Sequence, residues 1–214
     1  MRTTLRSIVI AAMAAYFIGS IARADDAASS DDAAPNDGWE SLFDGKTFGK
    51  WKPNENADSW KIEDGVILVK GPRSHLFYMG DEVFKNFEFK IDVKTEKGAN
   101  SGIFFHTRFQ ETGWPQIGYE SQVNNTQRDP VKTGSLYNTV KLFESKAEDD
   151  KWWTQHIVVD GKKIVVKIDG ETVIDWTEPE GKEQPKLSQG SFALQSHDPD
   201  SVIRYKNIYV KRLP

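Results

Sequence analysis

From residue 38 onward the chain is built on a period of two. In Asn86–Thr95, Phe87, Phe89, Ile91 and Val93 occupy every second place, with Glu88, Lys90, Asp92 and Lys94 between them. Side chains alternate faces along an extended chain, so this pattern predicts an antiparallel strand with one apolar and one polar face. Gln155–Asp160, Lys163–Asp169 and Glu171–Trp176 repeat it, separated by Asp160-Gly161 and Asp169-Gly170. Asp-Gly tolerates the positive φ of tight hairpins, which predicts three consecutive antiparallel strands. Phe192–Ser196 and Val202–Leu213 add two late strands, and Gly65-Val66 and Gly102-Ile103 open others. Helical periodicity is nearly absent. Thr177–Gln189, with Pro179, Gly181 and Pro185, reads as a surface loop. Many short strands over about 175 residues fit an all-β fold, a two-sheet sandwich of the jelly-roll type.

The amino terminus reads differently. Arg2 and Arg6 precede an uncharged run of 14 residues, Ile8 to Ile21, and then Ala22-Arg23-Ala24. This is the layout of a cleaved secretory signal over residues 1–24. The run is shorter than the roughly 20 residues a membrane span needs, so no span is expected in the mature form. Residues 25–37, DDAASSDDAAPND, hold no apolar side chain larger than Ala and read as a disordered acidic spacer. The folded domain is therefore expected over residues 38–214, exported to the periplasm or outside a bacterial cell. Cutting after Ala24 takes the net charge from -4 to -7, and residues 38–214 alone carry -2. Such a domain has no basic excess for a nucleic-acid partner. The chain has no cysteine, which excludes disulfides, a thiol nucleophile and thiolate metal sites.

Alternation also nominates a site. In Gly118–Asn124, Glu120 and Gln122 point away from Tyr119, Ser121 and Val123. In Gly102–Phe109, His106 and Arg108 share a face with Phe104. In Ser191–His197, Gln195 and His197 oppose Leu194 and Ser196. If these strands are neighbours, the three polar rows converge. The competing reading is three solvated outer faces. Gly98, Gly102, Gly113 and Gly118 bracket two of the rows, where backbone must turn or approach something closely. Trp114-Pro115 lies between them, and a rim tryptophan can stack on a sugar. Trp152 or Trp153 is a weaker candidate of the same kind. His75 and His156 read as ordinary surface or sheet residues.

Ser41–Lys46 (SLFDGK), Trp51, Trp60, Asp64-Gly65, Asn100–Ile103 (NSGI), Gly118–Gln122 (GYESQ), Thr133–Tyr137 (TGSLY), Trp152–Gly161, Leu194–His197 (LQSH) and Lys206–Ile208 (KNI) follow one another in an order that resembles the 3-keto-disaccharide hydrolase family. That family is also described as a 3-keto-glucoside lyase/hydratase domain. The resemblance runs from about Gly38 to Leu213. It implies a concanavalin-like jelly roll and a small carbohydrate substrate, a glycoside oxidised to a ketone at carbon 3. Its relatives commonly carry arginine at the place of His106. The implied chemistry is elimination across carbons 1 and 2 followed by hydration. For that reaction Glu120 is the leading candidate base, or else a metal ligand, and His197 the partner acid/base. Gln122, Arg108 or His106 would hold the enolate and hydroxyls, with Trp114, Tyr137 and Gln195 as further substrate contacts. No organic cofactor is expected. His106, Glu120 and His197 are of metal-ligating type, so a divalent metal stays open, although no HxH or HExxH spacing supports one. The alternatives are a non-catalytic carbohydrate-binding module of the cell envelope and a structural surface domain.

Overall fold

The computed structural model describes residues 37–80, 83–181 and 189–214. The expected signal segment 1–24 and all of the spacer but Asp37 lie outside them, as does most of the 177–189 loop.

Thirteen strands follow in chain order: β1 (Trp39–Ser41), β2 (Trp51–Pro53), β3 (Trp60–Glu63), β4 (Val66–Val69), β5 (Ser74–Tyr78), β6 (Phe87–Thr95), β7 (Ser101–Thr107), β8 (Tyr119–Val123), β9 (Trp153–Asp160), β10 (Lys163–Ile168), β11 (Glu171–Thr177), β12 (Ser191–Ser196) and β13 (Ile203–Arg212). The helical content of the described residues is one 3-10 turn, Ala57–Ser59. Two antiparallel sheets form, as the alternation and the hairpins predict. The larger runs β11-β10-β9-β6-β13-β4-β3, with β1 also paired to β13, and the smaller runs β2-β5-β12-β7-β8. The fold is a two-sheet jelly roll.

The apolar row of β6 fills the space between the sheets. Phe87 and Phe89 meet Phe192 of β12 at ring-centroid distances of 5.0 and 4.4 Å, and Phe87 meets Phe105 of β7 at 6.1 Å. Each such buried ring contributes roughly 1.5–3 kcal/mol through lost apolar exposure. The polar row of β6 is only half-buried, as an outward face should be. The smaller sheet differs. Every residue of β5 and β7 is buried, and all but the first of β12. Its outer face is therefore covered.

The cover comes from two connections: Phe109 and Trp114 of the β7–β8 loop pack on Phe77 and His75 of β5, and the long connection between β8 and β9 closes the β8 side. Residues 133–137 run beside β8. Gln122 N donates to Ser135 O, Gly134 N to Gln122 O and Tyr137 N to Glu120 O. Asn124 Nδ2 donates to the carbonyls of Asp129 and Val131 and pins the turn that precedes them. These bonds hang Asp129 and Tyr137 over the outer face of the smaller sheet.

Candidate active site

On that outer face lies a cavity of about 340 Å³. Its floor is laid by sheet register. Glu120 of β8 pairs with Phe104 of β7, and Gln122 pairs with Gly102. Across β7, Gln195 lies on β12, with His197 just past the strand's end. Glu120, Gln122, Gln195 and His197 all line the cavity, as do Trp114 and Tyr137. The polar rows of β8 and β12 thus converge, as expected if those strands share a sheet. Gln122 and Gln195 are each only 2% exposed, which is incompatible with solvated outer faces.

The close approach predicted at Gly102 is real. A Cβ there would stand 2.1 Å from Glu120 Oε1 and 2.8 Å from its Cδ and Cγ. The missing side chain is the space the carboxylate occupies. Gln195 Nε2 donates to Glu120 Oε1 at 3.2 Å and aims it. Gln122 Nε2 donates to Asn100 Oδ1 at 3.0 Å.

His197 is held from behind. Its Nδ1 lies 2.7 Å from Asp198 Oδ2, which also accepts from Ser201 Oγ at 3.0 Å, while Asp200 N donates to Oδ1. Burial alone would raise the Asp198 carboxyl. The hydrogen bonds from His197, Ser201 and the Asp200 amide outweigh it and hold the group below the usual carboxylate range. An ionised Asp198 keeps the Nδ1 proton in place and leaves Nε2 as the other reactive nitrogen. Burial, followed by the charges of Asp129 and Glu120, raises the Tyr137 phenol, which stays a hydrogen-bond donor at neutral pH.

Two expected site residues stand elsewhere. His106 is the extra residue of a β-bulge: Phe105 pairs with Phe192 but Thr107 pairs with Ser191. Its φ of +54° breaks the alternation. The ring turns inward, 1% exposed, against Phe87 and Phe105, with Nε2 2.8 Å from Lys85 O. Gly118 and Gly190 make the bulge possible, because a Cβ at either would meet the backbone of Phe105–Thr107 within 2.6 Å. Arg108 follows the end of β7 and is exposed, away from the cavity lining. Neither residue lines the cavity with Glu120 and His197, so His106, Glu120 and His197 do not form a ligand trio. Among the described residues no group of three or more His, Cys, Asp or Glu is arranged to hold a metal ion. Trp152 and Trp153 also lie outside the cavity: Trp153 is core, and Trp152 carries Lys94 and Lys206 over its ring.

Other lining residues were not legible from alternation. Asn100, Asp129 and Asn138 come from loops, whereas Phe104 lies on the face that alternation gives its row. Asp129 adds a second carboxylate where the sequence pointed to one. Asn100, Asp129 and His197 also border an adjoining open groove of about 450 Å³, lined further by Gln127, Arg128 and Pro130. His75, read as an ordinary surface or sheet residue, is on a strand but fully buried, at 5.4 Å from both Phe104 and Trp114 of the cavity lining.

Residues 38–211 match the model of the 3-keto-alpha-glucoside-1,2-lyase-like domain. The chain belongs to this family. A relative from Bacteroides thetaiotaomicron named 3-keto-disaccharide hydrolase is 39% identical over 79 residues, 32% of this chain. The match spans only 27% of that relative's length. Among solved structures, a candidate glycosyl hydrolase from Parabacteroides distasonis superposes with a TM-score of 0.70 at 23% identity, covering 83% of this chain and 94% of that one. The carbohydrate-binding module CBM66 from Bacillus subtilis gives a TM-score of 0.55 at 14% identity, covering 76% and 95%. These two likenesses are of fold. A shared fold does not give the chemistry, so the site must decide it.

Proposed function

We propose that this domain is an exported enzyme that cleaves glycosides carrying a ketone at carbon 3. One observation carries the proposal. A carboxylate aimed by an amide and an imidazole held by a carboxylate face one amide-lined cavity, in a chain of this family. A plain binding module needs the amides and the tryptophan but not the Asp198–His197 pair.

The ketone acidifies the hydrogen on carbon 2. Glu120 removes it, and the electron pair forms an enolate on the carbon 3 oxygen. The enolate collapses back to the ketone, forms the double bond between carbons 1 and 2 and expels the glycosidic oxygen. His197, carrying a proton on Nε2 as well as the one Nδ1 shares with Asp198, gives the Nε2 proton to that oxygen, which leaves as an alcohol, and Nε2 regains a proton from water. Water then adds its oxygen to carbon 1, and carbon 2 regains a proton, for a net hydrolysis. Gln122, Asn100 and the Tyr137 phenol are the polar groups available to the enolate and hydroxyls. His197 borders both the cavity and the open groove. The ketosugar ring would occupy the cavity against Phe104 and Trp114, and the departing aglycone the groove past Asp129.

Glu120 and Asp129 in one cavity also support a second reading, an ordinary two-carboxylate glycosidase. Incubation with a 3-keto-disaccharide and with its parent disaccharide separates the readings. Sugar released from the keto substrate alone supports elimination. Release from both supports the glycosidase. Saturable binding without release supports a binding module.

A further inference from the structure

His75 is buried to 0% exposure. Neither of its ring nitrogens has a hydrogen-bonding partner among the described residues. Its neighbours on three sides are aromatic: Phe77 at 6.2 Å, Phe104 at 5.4 Å and Trp114 at 5.4 Å between ring centroids. A phenylalanine would suit such surroundings without leaving polar atoms stranded. Directly across the strand pair stands Gln195. Its Nε2 is spent on Glu120, and its Oε1 is buried without a partner. Gln195 lines the cavity and His75 does not. What separates His75 from the cavity is Trp114.

Trp114 is an exposed cover, 44% accessible, lying between His75 and His197, each at 5.4 Å. Its loop is held by hydrogen bonds at or near the surface, among them Gln110 Nε2 to Thr112 O at 2.7 Å and Gln116 N to Gln110 Oε1 at 3.3 Å. Gln110 Nε2 donates to Trp114 O at 2.8 Å, and Gly113 N donates to Glu55 Oε1 at 3.1 Å. The Arg73 guanidinium lies 5.5 Å over the indole.

We propose that Trp114 covers a hidden extension of the sugar cavity, and that His75 and Gln195 receive a hydroxyl of the bound sugar there when the indole is displaced. A hydroxyl donates once and accepts twice. Gln195 Oε1 offers an acceptor, and a neutral imidazole offers one donor and one acceptor. Burial lowers the His75 pKa to about 4, which keeps the ring neutral in the working range. This assignment rests on the sugar-cleaving reading for its ligand but not for its geometry.

The test is His75→Phe, with His75→Leu as the second variant should the larger ring not fit. Unfolding midpoints, kcat and KM on a 3-keto-disaccharide, and equilibrium binding of the parent disaccharide are measured together. A stranded polar side chain replaced by an apolar one should raise the midpoint by about 2–4 °C. The lost hydroxyl contact should lower kcat/KM and saccharide affinity by roughly ten-fold. Higher stability combined with weaker sugar handling is a signature that a merely structural histidine would not give. A wild-type protein that turns over the substrate while both variants match it in kcat/KM and affinity overturns this inference and leaves the activity intact. A wild-type protein that binds saccharide more tightly than the variants but turns nothing over upholds this inference and overturns the activity.

Discussion

Gly102 offers a way to move the Glu120 carboxylate without touching Glu120. In Gly102→Ala the new Cβ lies 2.1 Å from Glu120 Oε1 and 2.8 Å from Cγ and Cδ. Ordinary carbon contacts lie at roughly 3.5 Å, so the carboxyl group must retreat by about 1 Å and rotate off its present setting. The 3.2 Å bond from Gln195 Nε2 is lost with that motion. The backbone at Gly102 is not in the positive-φ region, so alanine is compatible with the strand itself. Replacing glycine there gains roughly 0.5–1 kcal/mol from the unfolded chain. An off-rotamer glutamate costs about as much. The two offset, and the midpoint should stay within about 4 °C of wild type. Activity should not stay. Misplacing a reacting group by 1 Å costs on the order of 100-fold in rate. The assay is kcat/KM on a 3-keto-disaccharide beside thermal unfolding of the same preparation. A folded Gly102→Ala protein with kcat/KM within three-fold of wild type would refute the placement of Glu120 at the reacting carbon.

Asp198→Ala removes the acceptor of the His197 and Ser201 bonds. It should lower kcat by roughly 10- to 100-fold with KM little changed. Because the group is about one-third exposed, the stability loss should be only about 1–2 kcal/mol, read from the unfolding midpoint. Stability should also depend on pH in a stated window. His75, His106 and His156 are all shifted below the ordinary imidazole value, with burial the leading cause of each. A histidine whose folded pKa is depressed binds fewer protons folded than unfolded between the two values. Stability therefore rises with pH across that window, and it is lost as pH falls from about 6.5 toward the folded value, about 4 for His75. The His75 share is about 3 kcal/mol at the acid end of its window. Denaturant unfolding at pH 7.5 and 4.5 should show a smaller loss for His75→Phe than for wild type, and equal losses would contradict the buried neutral ring.

The sheet and much of its outer face were legible in the sequence because both obey the period of two. Glu120 and Gln122 on β8 and Gln195 and His197 at the end of β12 came together because strict alternation carries each pair to one face. His106 broke that rule through a bulge. Its determinants, Gly118 and Gly190, are distant in sequence and act only once β7, β8 and β12 are paired. Gly102 could be flagged as a close approach, but the group approaching it depended on register. Asp129 and Asn138 belong to a long irregular connection whose course is set by side-chain bonds such as those of Asn124, and no periodicity encodes that course. His75 looked ordinary because burial on the outer face of a sheet depends on what covers it, and the cover is Trp114 from another loop.

The central claim is that Glu120 takes the hydrogen from carbon 2 of a 3-keto-glycoside. Turnover of a 3-keto-disaccharide in deuterium oxide, followed by mass and proton spectra of the released ketosugar, tests it directly. Elimination and hydration replace the carbon 2 hydrogen with solvent deuterium in every turnover, and Glu120→Gln should lose both release and exchange. Released sugar that keeps its carbon 2 hydrogen, or a Glu120→Gln protein that exchanges it as fast as wild type, would contradict the account.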